Sequence, residues 1–505
     1  MLRRSGSRPV PHPEPRRIST LAIGFMLCLP ALLLCVAPAS ASSPPDPAIL
    51  GSWSGPLVVG PGIELRLVFH IEADQEGRLT ATMDSPDQGA TGIPIQEVTY
   101  AEGELELDLP QIQGGFRGTL LAPDTLDGRW SQGGQSFPLR LVRGDAEAAP
   151  ARPQTPEPPF PYRSEDVRYP NPEAEIHLAG TLTIPEGDGP FPAVALITGS
   201  GAQDRDETIL GHRPFWVLAD HLSRNGIAVL RSDDRGVGES EGDFSAATSL
   251  DFAGDAAAAV AYLATRSEVE PSQIGLIGHS EGGLIAPLVA NERGDVAFVV
   301  LLAGPAMSGE ELLPLQGAAI QRAMGAQESD IDASLEVQQN LFRIVREEDD
   351  PERRVARMEQ WLEEYLAGLT PEERERQGIP SEDPAGWITA QAAMGASEWF
   401  RFFLAHDPRE SLRDLEVPVL ALFGELDLQV PPEPNRLAME EAFRTGEHPD
   451  WTIQTLPGLN HLFQTATTGS PTEYARIEET FAPAALEAIA EWIRQRTDEA
   501  GPLSR

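Results

Sequence analysis

Lysine is missing altogether: every one of the 38 basic residues is an arginine, set against 78 acidic residues and a formal charge of −40. A chain so short of positive charge offers no footprint for a polyanion, which argues against nucleic acid as a partner. The acidity reads instead as a solvated surface that keeps the chain in solution. Cysteine is nearly absent as well. The two present, Cys28 and Cys35, fall inside one N-terminal apolar segment, so the remainder has no thiol nucleophile, no disulfide and no thiolate metal site. No apolar run reaches the roughly 20 residues that a membrane helix needs. The nearest, Leu21 to Val36, follows five arginines and precedes Ala39-Ser40-Ala41, the order of a signal peptide. Residues 1–41 are therefore expected to direct export to the periplasm or beyond and to be removed, with no stable membrane insertion afterwards. Arg16-Arg17 hints at a twin-arginine route, and Leu34 before Cys35 argues against lipid attachment. Cleavage would leave 33 arginines against 77 acidic residues, a balance of −44.

Some 460 residues are too many for one ordinary core and suit two or three domains. Between residues 48 and 145 the pattern is short and alternating: Ile63, Leu65, Leu67, Phe69 and Ile71 fall on one face, and Leu105, Leu107 and Leu109 repeat it. This predicts a small antiparallel β-domain, sandwich or barrel, with Trp53, Tyr100, Phe116 and Trp130 as core rather than a ligand platform. It carries no catalytic constellation. Six prolines between Pro150 and Pro161 mark a linker over 146–162. From 163 to 500, extended runs at Ala193–Ile197, Ile227–Leu230, Ile274–Ile277, Phe298–Ala303 and Val419–Phe423 alternate with helical ones at Phe215–Arg224, Asp251–Thr265 and Leu284–Asn291. Such alternation predicts an α/β architecture, a mostly parallel sheet with flanking helices. The strands pause from about 307 to 414, where Glu- and Arg-rich helical spacing predicts a helical cap over the strand ends.

Gly278-His279-Ser280-Glu281-Gly282 matches the pattern G-x-S-x-G, but so does Gly238-Glu239-Ser240-Glu241-Gly242. Context separates them. Ser280 leaves an apolar strand and enters an apolar helix, the setting of a nucleophile elbow, whereas Ser240 lies in a polar loop. A free serine is a poor nucleophile, so it needs a base and a group to orient that base. Where an elbow sits on a sheet of this kind, acid and then histidine follow the serine along the chain. His406 comes too early, and His448 lies in a Gly-Glu-His-Pro-Asp turn. His461, beyond the run Trp451–Leu456 and a Pro-Gly turn, is the preferred base. Asp427 follows Val419–Phe423 as the candidate acid, with Glu425 its nearest rival; it is the resemblance described below that falls on Asp427. Oxyanion donors are expected from the amides of Glu281 and of the loop Thr198-Gly199-Ser200-Gly201, with Ser200 first choice and Gly201 beside it. Asp234-Arg235-Gly236-Val237-Gly238 reads as a salt-bridged structural turn. The pattern asks for no metal and no cofactor.

These ordered motifs resemble the EstD-like bacterial carboxylesterases of the α/β-hydrolase superfamily. The likeness rests on Thr198 through Glu207, Asp233 through Ser240, Gly278 through Gly283, Gly424-Glu425-Leu426-Asp427 and Gly458-Leu459-Asn460-His461, and covers roughly Val167 to Arg494. It implies a Ser280–Asp427–His461 triad acting on a small-molecule ester with a short acyl chain. Gly283 also makes the serine motif similar to prolyl-oligopeptidase-like enzymes, which keeps a serine exopeptidase open. A binding protein with an inert hydrolase fold is the reading from another class.

Overall fold

The computed structural model describes residues 48–499 apart from 61–62, 75, 89, 133–134, 145–149 and 381–383. The expected signal segment, 1–41, lies outside the described residues.

Nine strands form the N-terminal domain: β1 (Gly51–Gly60), β2 (Ile63–Ala73), β3 (Leu79–Ser85), β4 (Ala90–Pro94), β5 (Glu97–Ala101), β6 (Glu104–Leu109), β7 (Gly114–Ala122), β8 (Thr125–Gln132) and β9 (Gln135–Arg143). Neighbours in the order β4-β3-β2-β1-β9-β8-β7-β6-β5 are all antiparallel. The two ends of that order are one piece of chain. Ile95 donates its amide to Ala81 (3.0 Å) on β3, and Gln96 donates to Asp108 (2.9 Å) on β6, so the sheet closes into a barrel. Closure leaves no long edge to pair with another chain. Period-two alternation, seen plainly in β6, sends every second side chain inward. Trp53, Phe69, Phe116 and Trp130 are all buried there, with Phe69 5.9 Å from the Phe116 ring and 6.0 Å from that of Trp130. Tyr100 is only half-buried. The interior is therefore filled by its own side chains.

The proline-rich stretch is more than a spacer. Arg152 donates to the carbonyls of Ile477 (2.7 Å), Ala475 (2.9 Å) and Leu210 (3.0 Å), and Gln154 exchanges hydrogen bonds with Phe481 (2.7 and 3.0 Å). Prolines keep this segment extended, and these two side chains strap it to the next domain.

That domain is built on an eight-stranded sheet of β10 (Tyr162–Asn171), β11 (Ile176–Pro185), β12 (Phe191–Ile197), β13 (Ala228–Ser232), β14 (Val269–His279), β15 (Phe298–Leu302), β16 (Val419–Gly424) and β17 (Trp451–Leu456). The order is β10-β11-β13-β12-β14-β15-β16-β17. The first pairings are antiparallel, and from β13 to β17 all are parallel. Strands buried on both faces explain the unbroken apolar runs in the sequence. One face packs on helices α2 (Ser249–Ala264), α3 (Glu281–Glu292) and α11 (Pro432–Thr445); the other packs on α1 (Pro214–Arg224) and α12 (Pro483–Glu499). From β12 the chain steps to β13 on one side and then crosses to β14 on the other. The carboxyl ends of β12 and β14 thus flank a topological switch point, where open α/β sheets bind ligands.

Between β15 and β16 the described chain is helical, from α4 (Gly309–Ala323) through α5 (Glu328–Glu347), α6 (Pro351–Gly368), α7 (Pro371–Arg376), α8 (Pro384–Ala393) and α9 (Glu398–Ala405) to α10 (Pro408–Arg413). Leu341, Phe342, Val345, Met358, Leu362 and Phe400 give this insertion its own small core. Among the described residues no helix is long and apolar enough to cross a membrane.

Candidate active site

Ser280 occupies a one-residue turn between β14 and α3 with φ 52° and ψ −116°, a left-handed backbone that a serine adopts only under constraint. The constraint is crowding. A Cβ on Gly278 would lie 2.0 Å from the Gly282 carbonyl oxygen, and one on Gly282 would lie 2.2 Å from that of Ile197. Strand, turn and helix can approach this closely only with glycine at both places. α3 therefore begins at Glu281, three residues before the apolar run suggests, because tertiary contact overrides the low helix propensity of Gly282 and Gly283. The residues from Ile274 to His279 are buried and Ser280 is not. The rival serine has a different job: Ser240 Oγ donates to the Asp233 carbonyl (2.8 Å) and accepts the Ala179 amide (2.9 Å), pinning a loop.

Asp427 follows β16 and His461 follows β17, so both arrive at the edge of the sheet where Ser280 stands. His461 Nδ1 lies 2.8 Å from Asp427 Oδ2, with both side chains buried. The other carboxylate oxygen accepts the amides of Gln429 (2.8 Å) and Val430 (2.9 Å), which hold the acid as an acceptor. An Nδ1–H bound to Asp427 leaves the lone pair on Nε2, the tautomer that a base needs. Glu425 instead takes the Gly458 amide at the surface (2.9 Å). His448 Nε2 donates to the Val417 carbonyl (3.0 Å) and its Nδ1 accepts the Asp450 amide (3.2 Å), ahead of β16 and β17 and at the opposite edge of the sheet. His406 stacks on Phe402 in the insertion.

The loop after β12 presses on the elbow. A Cβ on Gly199 would sit 3.3 Å from that of Ser280, and the Gly199 amide is already spent on Glu207 Oε1 (2.8 Å). Ser200 is the next amide along and is exposed. Thr198 Oγ1 (2.7 Å) and the Gln203 amide (2.9 Å) both donate to Asp234, so this aspartate supports the loop while its neighbour Arg235 pairs with Asp255 (2.7 Å). Burial pushes the Asp234 carboxyl up to about 7, with the nearby Glu207 and Glu281 carboxylates adding to the effect and its hydrogen bonds opposing it. Glu281 turns its carboxyl away from solvent, where Ser249 Oγ (2.6 Å) and Trp399 Nε1 of α9 (2.7 Å) donate to it. Burial raises its pKa too.

The sequence reading passed over two residues here. His279 Nδ1 lies 2.8 Å from Glu207 Oε1, and its Nε2 lies 3.0 Å from the carbonyl oxygen of His461. Both sit inside motifs quoted for the resemblance, but neither has a signature of its own. Among the described residues, no group of three or more His, Cys, Asp or Glu side chains converges as a metal site would require.

A serine on a strained turn after one parallel strand, and a buried carboxylate–imidazole pair after two later ones, sit on a sheet with the α/β-hydrolase fold. Residues 215–365 match the family model described as Hydrolase_4: Serine aminopeptidase, S33. Among curated proteins the chain is similar to Esterase EstD of Thermotoga maritima, 29% identical over 317 residues, which are 63% of this chain and 65% of EstD. It thus spans just under two thirds of that relative's length. Two similar solved structures are an esterase of Pyrococcus furiosus (16% identity, TM-score 0.40, 70% of this chain and 99% of that one) and a proline iminopeptidase of Mycobacterium smegmatis (14%, 0.39, 66% and 100%).

Proposed function

We propose that the protein is an exported carboxylesterase that cleaves small esters through an acyl-enzyme on Ser280. The observation that carries this reading is the Asp427–His461 hydrogen bond, set beside the strained elbow through the contact of His461 with His279, the residue before Ser280. In the proposed cycle Ser280 Oγ attacks the ester carbonyl carbon while His461 Nε2 takes the hydroxyl proton. Asp427 stabilises the imidazolium, and the amides of Ser200 and Glu281 receive the oxyanion. Collapse expels the alcohol, whose oxygen takes the proton back from His461. Water then attacks the acyl-enzyme with the same base, releasing the acid and restoring Ser280. The resemblance to EstD supports an ester as substrate, and the short acyl chain comes from the same source.

A cleft of about 400 Å³ opens between the first turn of α2 and helices α4, α5 and α9, lined by Leu250, Phe342, Val345, Phe402 and Leu404 among others. Its walls also carry the charged side chains of Glu310, Arg346, Glu398 and Arg401, and include none of Ser280, Asp427 and His461.

The test is hydrolysis of nitrophenyl esters of increasing acyl length, beside aminoacyl anilides, by the mature protein and by Ser280→Ala. Serine-dependent ester turnover with silent anilides supports the proposal. Anilide cleavage would favour the exopeptidase that the family description raises, and silence on both would favour an inert fold. Export is checked by fractionating cells and sequencing the mature N-terminus, expected at Ser42.

A further inference from the structure

The protons around His279 can be counted. Its Nε2 faces the His461 carbonyl at 3.0 Å, and a carbonyl only accepts, so Nε2 carries a hydrogen. Its Nδ1 faces Glu207 Oε1 at 2.8 Å, and that oxygen also receives the Gly199 amide at 2.8 Å. That oxygen accepts from Gly199, and one proton lies between it and Nδ1, on either the carboxyl or the ring. Imidazole is ordinarily the stronger base of the two, which puts that proton on Nδ1, and an imidazole that donates from both nitrogens is an imidazolium. His279 and Glu207 are both almost completely shielded from solvent, so neither charge is screened by water.

We infer that Glu207 and His279 form a second charged pair behind the triad, which positions the oxyanion loop, the nucleophile and the base as one unit. The inference deepens the proposed serine hydrolysis and rests on it for its kinetic consequence. Three segments meet at the pair. Glu207 holds Gly199, whose backbone abuts Ser280; His279 immediately precedes Ser280; and His279 holds the peptide carbonyl of His461. The groups facing the imidazolium are Glu207 from the loop after β12, and from the loop after β17 the His461 ring, centred 4.9 Å away and backed by Asp427, with Phe463 edge-on at 6.5 Å. Burial opposes the charge on His279; the Glu207 carboxylate, the His461 carbonyl and Asp427 outweigh it and hold the ring above its ordinary range. Neither residue touches a substrate in this account. Both are positioning residues.

Glutamine at 207 cannot satisfy both of the glutamate's contacts. If its oxygen stays on Gly199, the imidazolium loses its counter-charge; if its amide turns to a neutral Nδ1, a donor meets the Gly199 amide. Glu207→Gln is expected to lower kcat about 10- to 100-fold, the loss of one charge-assisted hydrogen bond in the reacting geometry, with KM within about twofold. Glu207→Asp, which keeps the charge, should recover part of kcat. Independently of any substrate, ¹⁵N NMR of histidine-labelled protein should show both His279 nitrogens protonated at pH 8 in the wild type. That readout needs no variant, so it stands even if Glu207→Gln fails to fold. A neutral His279 ring at pH 8, or an unchanged kcat in a folded Glu207→Gln protein, overturns the inference. If the wild type turns over no ester at all, the proposed function fails and the NMR spectrum alone decides the pair.

Discussion

Replacing Asp427 by asparagine probes the base at its least visible point. The wild-type carboxylate accepts three hydrogen bonds: His461 Nδ1 at 2.8 Å, and the amides of Gln429 and Val430 at 2.8 and 2.9 Å. The asparagine oxygen can keep the two amides, so its NH2 must face Nδ1. That nitrogen then has to accept, and the imidazole hydrogen moves to Nε2, where it meets the serine and cannot take its proton. A wrong-tautomer base costs about 10⁴ in kcat, equivalent to about 5 kcal/mol of transition-state stabilisation. KM should hold within a few-fold, because nothing that grips the substrate has changed. Stability should fall by only about 1–3 kcal/mol, since the buried amides keep their acceptor. Steady-state kinetics on a nitrophenyl ester, read together with a thermal melt, separates the two effects. A folded Asp427→Asn protein within tenfold of wild-type kcat would refute the tautomer argument and the assignment of Asp427.

Two further predictions follow from packing and from charge. Gly282→Ala places a Cβ 2.2 Å from the Ile197 oxygen and 2.8 Å from that of Thr198, so the end of β12 must shift; a loss of about 1–3 kcal/mol in stability and more than tenfold in activity is expected, and full activity would contradict the close-approach reading. Asp234 has its pKa raised by burial from 3.8 to about 7, so between those values the folded chain holds a proton that the unfolded chain has lost. That contribution to stability is complete below about pH 4 and disappears as the pH rises through about 7, amounting to about 4 kcal/mol at most. Asp234→Asn should therefore gain stability relative to wild type between pH 5 and pH 8, measured by urea unfolding; a difference that stays constant with pH would contradict it.

What was legible in the sequence is what is contiguous in it. Ile274–Ile277 running into Gly278 and on to Leu284 spells strand, turn and helix within a dozen residues, and that local context separates Ser280 from Ser240. Asp427 and His461 were reachable because each follows its own apolar strand. Glu207 and His279 were not, since their partnership spans 72 positions and the His279–His461 contact spans 182. Nothing in composition announces such a meeting. The barrel was legible as alternation but not as closure, which depends on Ile95 and Gln96 bonding to two different strands. The linker misled in one respect: its prolines advertise a spacer, and only the structure shows Arg152 and Gln154 fastening it down.

The central claim is that Ser280 carries the acyl group, and trapping that intermediate tests it most directly. The mature protein would be mixed with a nitrophenyl ester in excess, quenched in acid within the first turnover, digested and examined by mass spectrometry. The account predicts a burst of one equivalent of nitrophenol and an acyl group on Ser280, both abolished in Ser280→Ala. Turnover with the acyl group on another residue, or ester hydrolysis undiminished in Ser280→Ala, would contradict it.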